Sequence, residues 1–218
     1  MPTLSPSAKV IERRLRAEYG TPRHHNKKDP LSELVFILLS VQTREREYRR
    51  TFAGLWKRYH GWERVRTAPD EDIESTIRFG GLERSKTASL KRILQTIRSD
   101  QGTTSLRHLR HRSTNELLAY LRSLPGVGMK TARCVLMYSF NRQVLPVDTH
   151  VWRISKRLGW ISGGAHPDNR RSVELEARIP AHLRHSLHVT MVSHGRRVCR
   201  QQAQCQSCIL NDICPKIR

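Results

Sequence analysis

The 218-residue sequence predicts an all-α protein built of many short helices, and three observations carry that prediction. Apolar residues recur at helical spacing along almost the whole chain, no segment alternates convincingly as a strand, and capping and breaking residues interrupt the pattern at short intervals. Asp29 and Pro30 read as an N-cap followed by a first-turn proline, ahead of a stripe of Leu31, Leu34, Val35 and Leu38. A second stripe runs Tyr48, Phe52, Leu55, Trp56, Tyr59. Thr67 to Asp70 reads as another helix start before Ile73 and Ile77, and after "GGLERS" come Leu90, Ile93, Leu94 and Ile97. Ser113 and Glu116 make a capping-box pattern ahead of Leu117, Leu118, Leu121 and Leu124. That helix ends at Pro125, because the residue before a proline resists the α conformation. Residues 131–140 and 149–158 read as two more helices, the second closed by Gly159. No internal repeat or low-complexity tract is visible.

Charge narrows the partner. Lys and Arg number 40 against 19 Asp and Glu, a formal charge of +21, so a polyanion is the expected ligand. No stretch reaches the ~20 apolar residues of a membrane-spanning helix. The first twenty residues lack the apolar core of a signal peptide, so the protein is expected in the cytoplasm, at the nucleoid in a bacterium. The length suffices to bury a core without disulfides.

The stretch "LPGVGMKTARC", residues 124–134, lies between two predicted helices. Gly126 and Gly128 permit a very tight turn and leave backbone N–H groups uncovered at a helix N-terminus, where the dipole favours an anion. The pattern resembles the helix-hairpin-helix element of sequence-independent DNA-binding proteins; an ordinary αα-hairpin turn is the plain alternative. Lys130 follows the turn, and Asp148 comes eighteen positions later in "PVDTHVWRISKR". Two roles are open to Asp148. It precedes the apolar stripe Val151, Ile154, Leu158 and so can cap a helix; it can also supply a carboxylate to an amine. A deprotonated Lys130 could attack a sugar C1′ while Asp148 supports the cation-like transition state or activates the attacking group.

The C-terminus carries "CRQQAQCQSCILNDICP". Cys199, Cys205, Cys208 and Cys214 give C-x5-C-x2-C-x5-C, four of the five cysteines within 16 residues. Four thiolates this close can hold a tetrahedral zinc or a [4Fe–4S] cluster, and spacing alone does not decide. Cys134, in "TARCVLMYSF", reads as a small core residue.

Taken in order, these features resemble the endonuclease III family of DNA glycosylases, within the helix-hairpin-helix superfamily. "LVFILLSVQTRE" resembles the family's segment ending in Gln-Thr, "GGLERSKTASL" its Gly-Leu-x-x-x-Lys-Ala turn, "LPGVGMKTA" its hairpin with the catalytic lysine, and "PVDTHVWRISKRLG" the segment with its catalytic aspartate. "SHGRRVC" and the cysteine run match its closing cluster, so similarity covers roughly residues 31–218. The resemblance implies two helical domains with a DNA-binding cleft between them. One is a six-helix bundle containing the hairpin, residues 31–142; the other joins 1–30 to 143–218 and holds a [4Fe–4S] cluster on Cys199, Cys205, Cys208 and Cys214. It implies a monomer acting on double-stranded DNA that contains damaged bases or abasic sites. Lys130 would be the nucleophile and Schiff-base former, Asp148 its acidic partner. Gln42 would fill the space left by an extruded base and Leu82 would wedge into the opposite strand, while the Gly126 and Gly128 turn would hold phosphate. Removal of oxidised pyrimidines such as thymine glycol, followed by strand cutting through β-elimination, is the implied activity.

Two departures stand out. The first cysteine gap is one residue shorter than the family's usual, and the enclosed "RQQAQ" keeps a single basic residue, Arg200, where the family loop is richer. Glu45 replaces a common aspartate, and nothing in the sequence explains the change. The competing function is a non-catalytic DNA-binding module with a structural or redox-sensing cluster; it would be marked by loss of Lys130 or Asp148, and both are present.

Overall fold

Local capping chemistry sets several of the helix starts. The structure, a computed structural model, describes residues 5–22 and 24–217, and these contain eleven α-helices and no β-strand. In chain order the helices are α1 (Ala8–Tyr19), α2 (Pro30–Ser40), α3 (Glu45–Tyr59), α4 (Trp62–Thr67), α5 (Asp70–Ile77) and α6 (Glu83–Gln101). They continue as α7 (Thr114–Ser123), α8 (Met129–Tyr138), α9 (Thr149–Arg157), α10 (Asn169–Arg178) and α11 (Ala181–Arg197). Asp29 caps α2 by accepting from the Ser32 N–H at 2.9 Å, with Pro30 in the first turn. Ser113 and Glu116 form the full reciprocal capping box at the start of α7. The chain divides into two compact units, Asn26–Arg142 and Met1–His25 with Gln143–Arg218.

Within Asn26–Arg142, α2 is apolar nearly all round, which suits a helix with neighbours on every side. Leu31, Leu34, Val35, Phe36, Ile37 and Leu39 are buried, and α2 packs against α3, α6 and α8. Leu90, Ile93, Leu94 and Ile97 of α6 and Leu117 and Leu121 of α7 complete this core, with Cys134 buried as expected. The unit holds seven α-helices instead of six. The addition is α4, a single six-residue stretch anchored by Trp62 and Val65, too short to show a period in the sequence. Trp56, placed on the α3 stripe by spacing, is 46% exposed, and its ring lies against Trp62 at 5.7 Å. Residues 26–30 belong to this unit because the Asn26 side chain and the Lys27 N–H both bond Glu33 in α2, at 2.5 and 2.6 Å.

In the other unit α1 packs on α11 and α11 on α9. Ile11, Leu15, Val151, Trp152, Leu158, Leu187 and Met191 form its buried centre. Gly195 gives α9 room against α11, since a Cβ there would lie 2.7 Å from His150 Nδ1. No helix among the described residues is long and apolar enough to cross a membrane.

Candidate active site and cysteine cavity

The turn between α7 and α8 is built from Leu124 to Gly128. Leu124 is extended, as a residue before proline must be, and the Val127 N–H closes the turn on the Leu124 carbonyl at 3.1 Å. Gly126 has φ +77°, a conformation that favours glycine, whereas Gly128 has φ −83° and needs no such freedom. The expectation of a special backbone conformation is therefore met at Gly126 and corrected at Gly128. An added Cβ at either glycine would meet nothing within 4 Å, so the side chains are absent where the backbone faces open space. No side chain caps α8. Its first N–H groups are thus available to an anion. Lys130, the second residue of this helix, is exposed beside them.

A charged group that sequence reasoning missed lies under this end of α8. Glu33 is fully buried in the apolar run of α2 and is bonded by Asn26 and the Lys27 N–H. Burial pushes its carboxyl up to about 7, against the opposing pull of those two bonds and of the Lys130 and Lys27 charges. Its signal was a lone carboxylate inside "PLSELVFILLS". The folded chain therefore holds a proton that the unfolded chain releases near 4.5, and the stabilisation is complete below pH 4.5 and lost as pH rises through about 7. The span corresponds to at most about 3 kcal/mol. Chemical denaturation of Glu33→Gln should give a midpoint flatter than wild type between these pH values; parallel declines would refute the assignment.

Gln42 and Leu82 occupy left-handed backbone at φ +51° and +56°. Neither is glycine, and each such residue costs about 1–2 kcal/mol, a strain that clusters at functional surfaces. Gln42 is exposed in the link from α2 to α3, and Leu82, at the start of α6, is 49% exposed. Phe79, three residues earlier, is 58% exposed with the Arg50 guanidinium stacked 3.7 Å from its ring centre.

Asp148 caps α9. Its Oδ1 accepts from the His150 and Val151 N–H groups at 2.9 and 2.8 Å, so one carboxylate oxygen does the capping and the second stands outside the cap. The residue is only partly buried.

The four cysteines are free, partly buried, and line one cavity of about 950 Å³. Arg153 and Arg157 of α9 brace this loop, a function the sequence did not signal. Arg153 donates to the Cys199 carbonyl at 2.8 and 2.9 Å, and Arg157 donates to the Cys199 sulfur at 3.1 Å and the Arg200 and Gln201 carbonyls at 2.7 and 2.8 Å. Among the described residues no carboxylate lines the cavity, while Arg153, Lys156, Arg157 and Lys216 do. Four thiols ringed by cations suit a group of net negative charge, as an iron–sulfur cluster with four thiolates is, although His166 and His194 also line the cavity and His194 Nε2 lies 3.5 Å from the Cys208 sulfur. Among the described residues no three His, Cys, Asp or Glu side chains are gathered to hold a single metal ion.

Residues 35–179 match the family described as HhH-GPD superfamily base excision DNA repair protein. An endonuclease III of Thermotoga maritima is 31% identical over 194 residues, covering 88% of this chain and 86% of that one. The chain belongs to the endonuclease III-like family of the HhH-GPD superfamily. Membership makes it one of a family of DNA glycosylases, and the matched span contains Gln42, Leu82, the hairpin, Lys130 and Asp148. The helix-hairpin-helix of this endonuclease III-like chain is α7, the Leu124–Gly128 turn and α8. An Arabidopsis thaliana protein provisionally named a DNA glycosylase is 37% identical over 188 residues; the match covers 86% of this chain, which spans 61% of that protein's length. Among solved structures, an endonuclease III in a non-covalent complex with DNA superposes with a TM-score of 0.79 at 27% identity, over 94% of this chain and 92% of that one. A trapped endonuclease III–DNA covalent intermediate gives 0.76 at 27% identity, over 96% of each chain.

Proposed function

We propose that the chain is a bifunctional DNA glycosylase and AP lyase that removes oxidised pyrimidines of the thymine glycol type from duplex DNA and then cuts the strand. The observation that carries this reading is Lys130: an exposed amine on the first turn of the helix that follows an open, glycine-bearing phosphate cradle. Family membership adds weight, as does the covalent DNA intermediate trapped for a similar endonuclease III.

Phosphate of the lesion strand binds at the uncapped N–H groups of α8, with the net charge of +21 drawing the duplex in. Gln42 and Leu82 enter the stack as the damaged nucleotide leaves it. Lys130 Nζ, in its neutral form, bonds to C1′ as the bond from C1′ to the base nitrogen breaks, and the base departs with that electron pair and takes up a proton. The Asp148 carboxylate, through the oxygen outside the cap, balances the positive charge that builds on the sugar as the base leaves, and then receives the proton lost by the attached amine. Opening of the sugar ring leaves an imine between Lys130 and C1′. Loss of a C2′ proton then expels the 3′ phosphate with its bonding electrons, and water releases Lys130. Cys199, Cys205, Cys208 and Cys214 hold a [4Fe–4S] cluster in this proposal. When bound it supplies a covalent tie that fixes the C-terminal loop, with Arg153 and Arg157 bracing its backbone.

The test is a 5′-labelled duplex carrying one thymine glycol opposite adenine. Base release and a strand cut by β-elimination are expected, from a brown protein containing iron; tight binding with no release would favour a non-catalytic DNA-binding module instead.

A further inference from the structure

Gln42 and Leu82 lie forty residues apart in sequence, yet the work proposed for them requires a fixed spacing between the two. We infer that Lys86 and Thr43 form a polar clasp that sets this spacing, making them a positioning pair for nucleotide extrusion; the inference rests on the glycosylase function proposed above.

Lys86 is on the second turn of α6 and only 5% exposed. Its ammonium donates to the Thr43 hydroxyl and, at 3.0 Å, to the Gly80 carbonyl. The Thr43 hydroxyl in turn lies within donating distance of the same Gly80 carbonyl, at 2.8 Å, and of the Val41 carbonyl in its own loop, at 2.9 Å. Three groups thus close a triangle between the link after α2 and the turn before α6. Gln42 immediately precedes Thr43, and Leu82 follows Gly80 by two residues. Each projecting residue is therefore one or two residues along the backbone from the clasp, and each sits in left-handed backbone that the surroundings must enforce.

Gly80 shows how tightly the junction is closed. A Cβ there would lie 2.9 Å from the Thr51 hydroxyl of α3 and 3.8 Å from both Lys86 Nζ and Thr43 Cγ2. The glycine is used for space, since its φ is not positive. Lys86 itself is an unusual choice for a buried position. Both of its acceptors are neutral oxygens, and burying an ammonium against neutral oxygens is unfavourable compared with an apolar side chain. A cation in that place is explained by what its directed N–H groups join: two loops that bear the residues entering DNA. A preformed spacing removes the ordering that the loops would otherwise undergo on binding.

Single-turnover release of thymine glycol separates this role from simple support of the fold. The substrates are a fully paired duplex and the same lesion inside a bubble of mismatches, where little unstacking is needed. Lys86→Met and Thr43→Val should each slow the paired substrate by about tenfold or more and the bubble by no more than about twofold, since small misplacements near a reacting centre carry costs of this order. The double variant should be no slower than the slower single variant, because both break one unit. Equal losses on both substrates, or wild-type rates on the paired duplex, would overturn the clasp. If Lys86→Met does not fold, Thr43→Val, which keeps shape and removes only the hydroxyl, decides by the same two rates. A wild-type protein inert on both substrates would overturn the glycosylase function and the clasp with it, an outcome distinct from selective or uniform loss in the variants.

Discussion

Lys130→Ala is expected to lower strand scission at thymine glycol by on the order of 10³-fold or more, because removal of a covalent nucleophile leaves only binding and electrostatic contributions. The variant should fold and bind DNA. Lys130 is exposed, alanine is at least as good a helix former, and the phosphate-facing N–H groups of α8 belong to the backbone. Its stability should change little below pH 7, where Glu33 carries its proton and has no charge for Lys130 to balance. Loss of activity at unchanged affinity and melting temperature is thus the signature of a nucleophile. A parallel loss of binding would move Lys130 to the phosphate cradle instead.

Asp148 gives the second large effect, and two substitutions separate its two jobs. Asp148→Ser retains an oxygen that can accept from the His150 and Val151 N–H groups, so stability should fall by less than about 0.5 kcal/mol, while activity drops by about 10²–10⁴-fold for want of a carboxylate. Asp148→Ala loses the cap as well and should unfold about 1 kcal/mol more easily. Denaturation curves and single-turnover rates on the same preparations check both. If serine restored activity along with stability, Asp148 would be a cap and nothing more.

How much of this was legible beforehand depends on the range of the physics. Asp29 with Pro30, the Ser113–Glu116 box, the Asp148 cap and the break at Pro125 are decided within a few residues, and each was readable in the sequence. The α6 and α9 stripes were equally plain because burial follows a helical period. Failures came where the deciding atoms are distant in sequence. Trp56 fits the α3 stripe by spacing, but α4 meets it from the side. Gly128 looks like a backbone device and proves to be an omitted side chain facing open space. Glu33 was invisible as a buried acid because its partners, Asn26 and Lys27, precede the helix in an irregular segment. Lys86 could be quoted as part of a motif, yet its grip on Thr43 and Gly80 exists only once α2, α3 and α6 pack together. Candidate site residues could be named from motif order, whereas the Arg153 and Arg157 bonds that brace the cysteine loop depend on the folded path of the C-terminus.

The central claim is that Lys130 forms a covalent imine with the sugar. Duplex DNA bearing a thymine glycol, mixed with the protein and borohydride, reports on it directly. A stable protein–DNA adduct is predicted, with the sugar attached to the peptide containing Lys130 and with no adduct from Lys130→Ala. Absence of an adduct from wild-type protein that binds the same duplex, or an adduct that persists in Lys130→Ala, would contradict it.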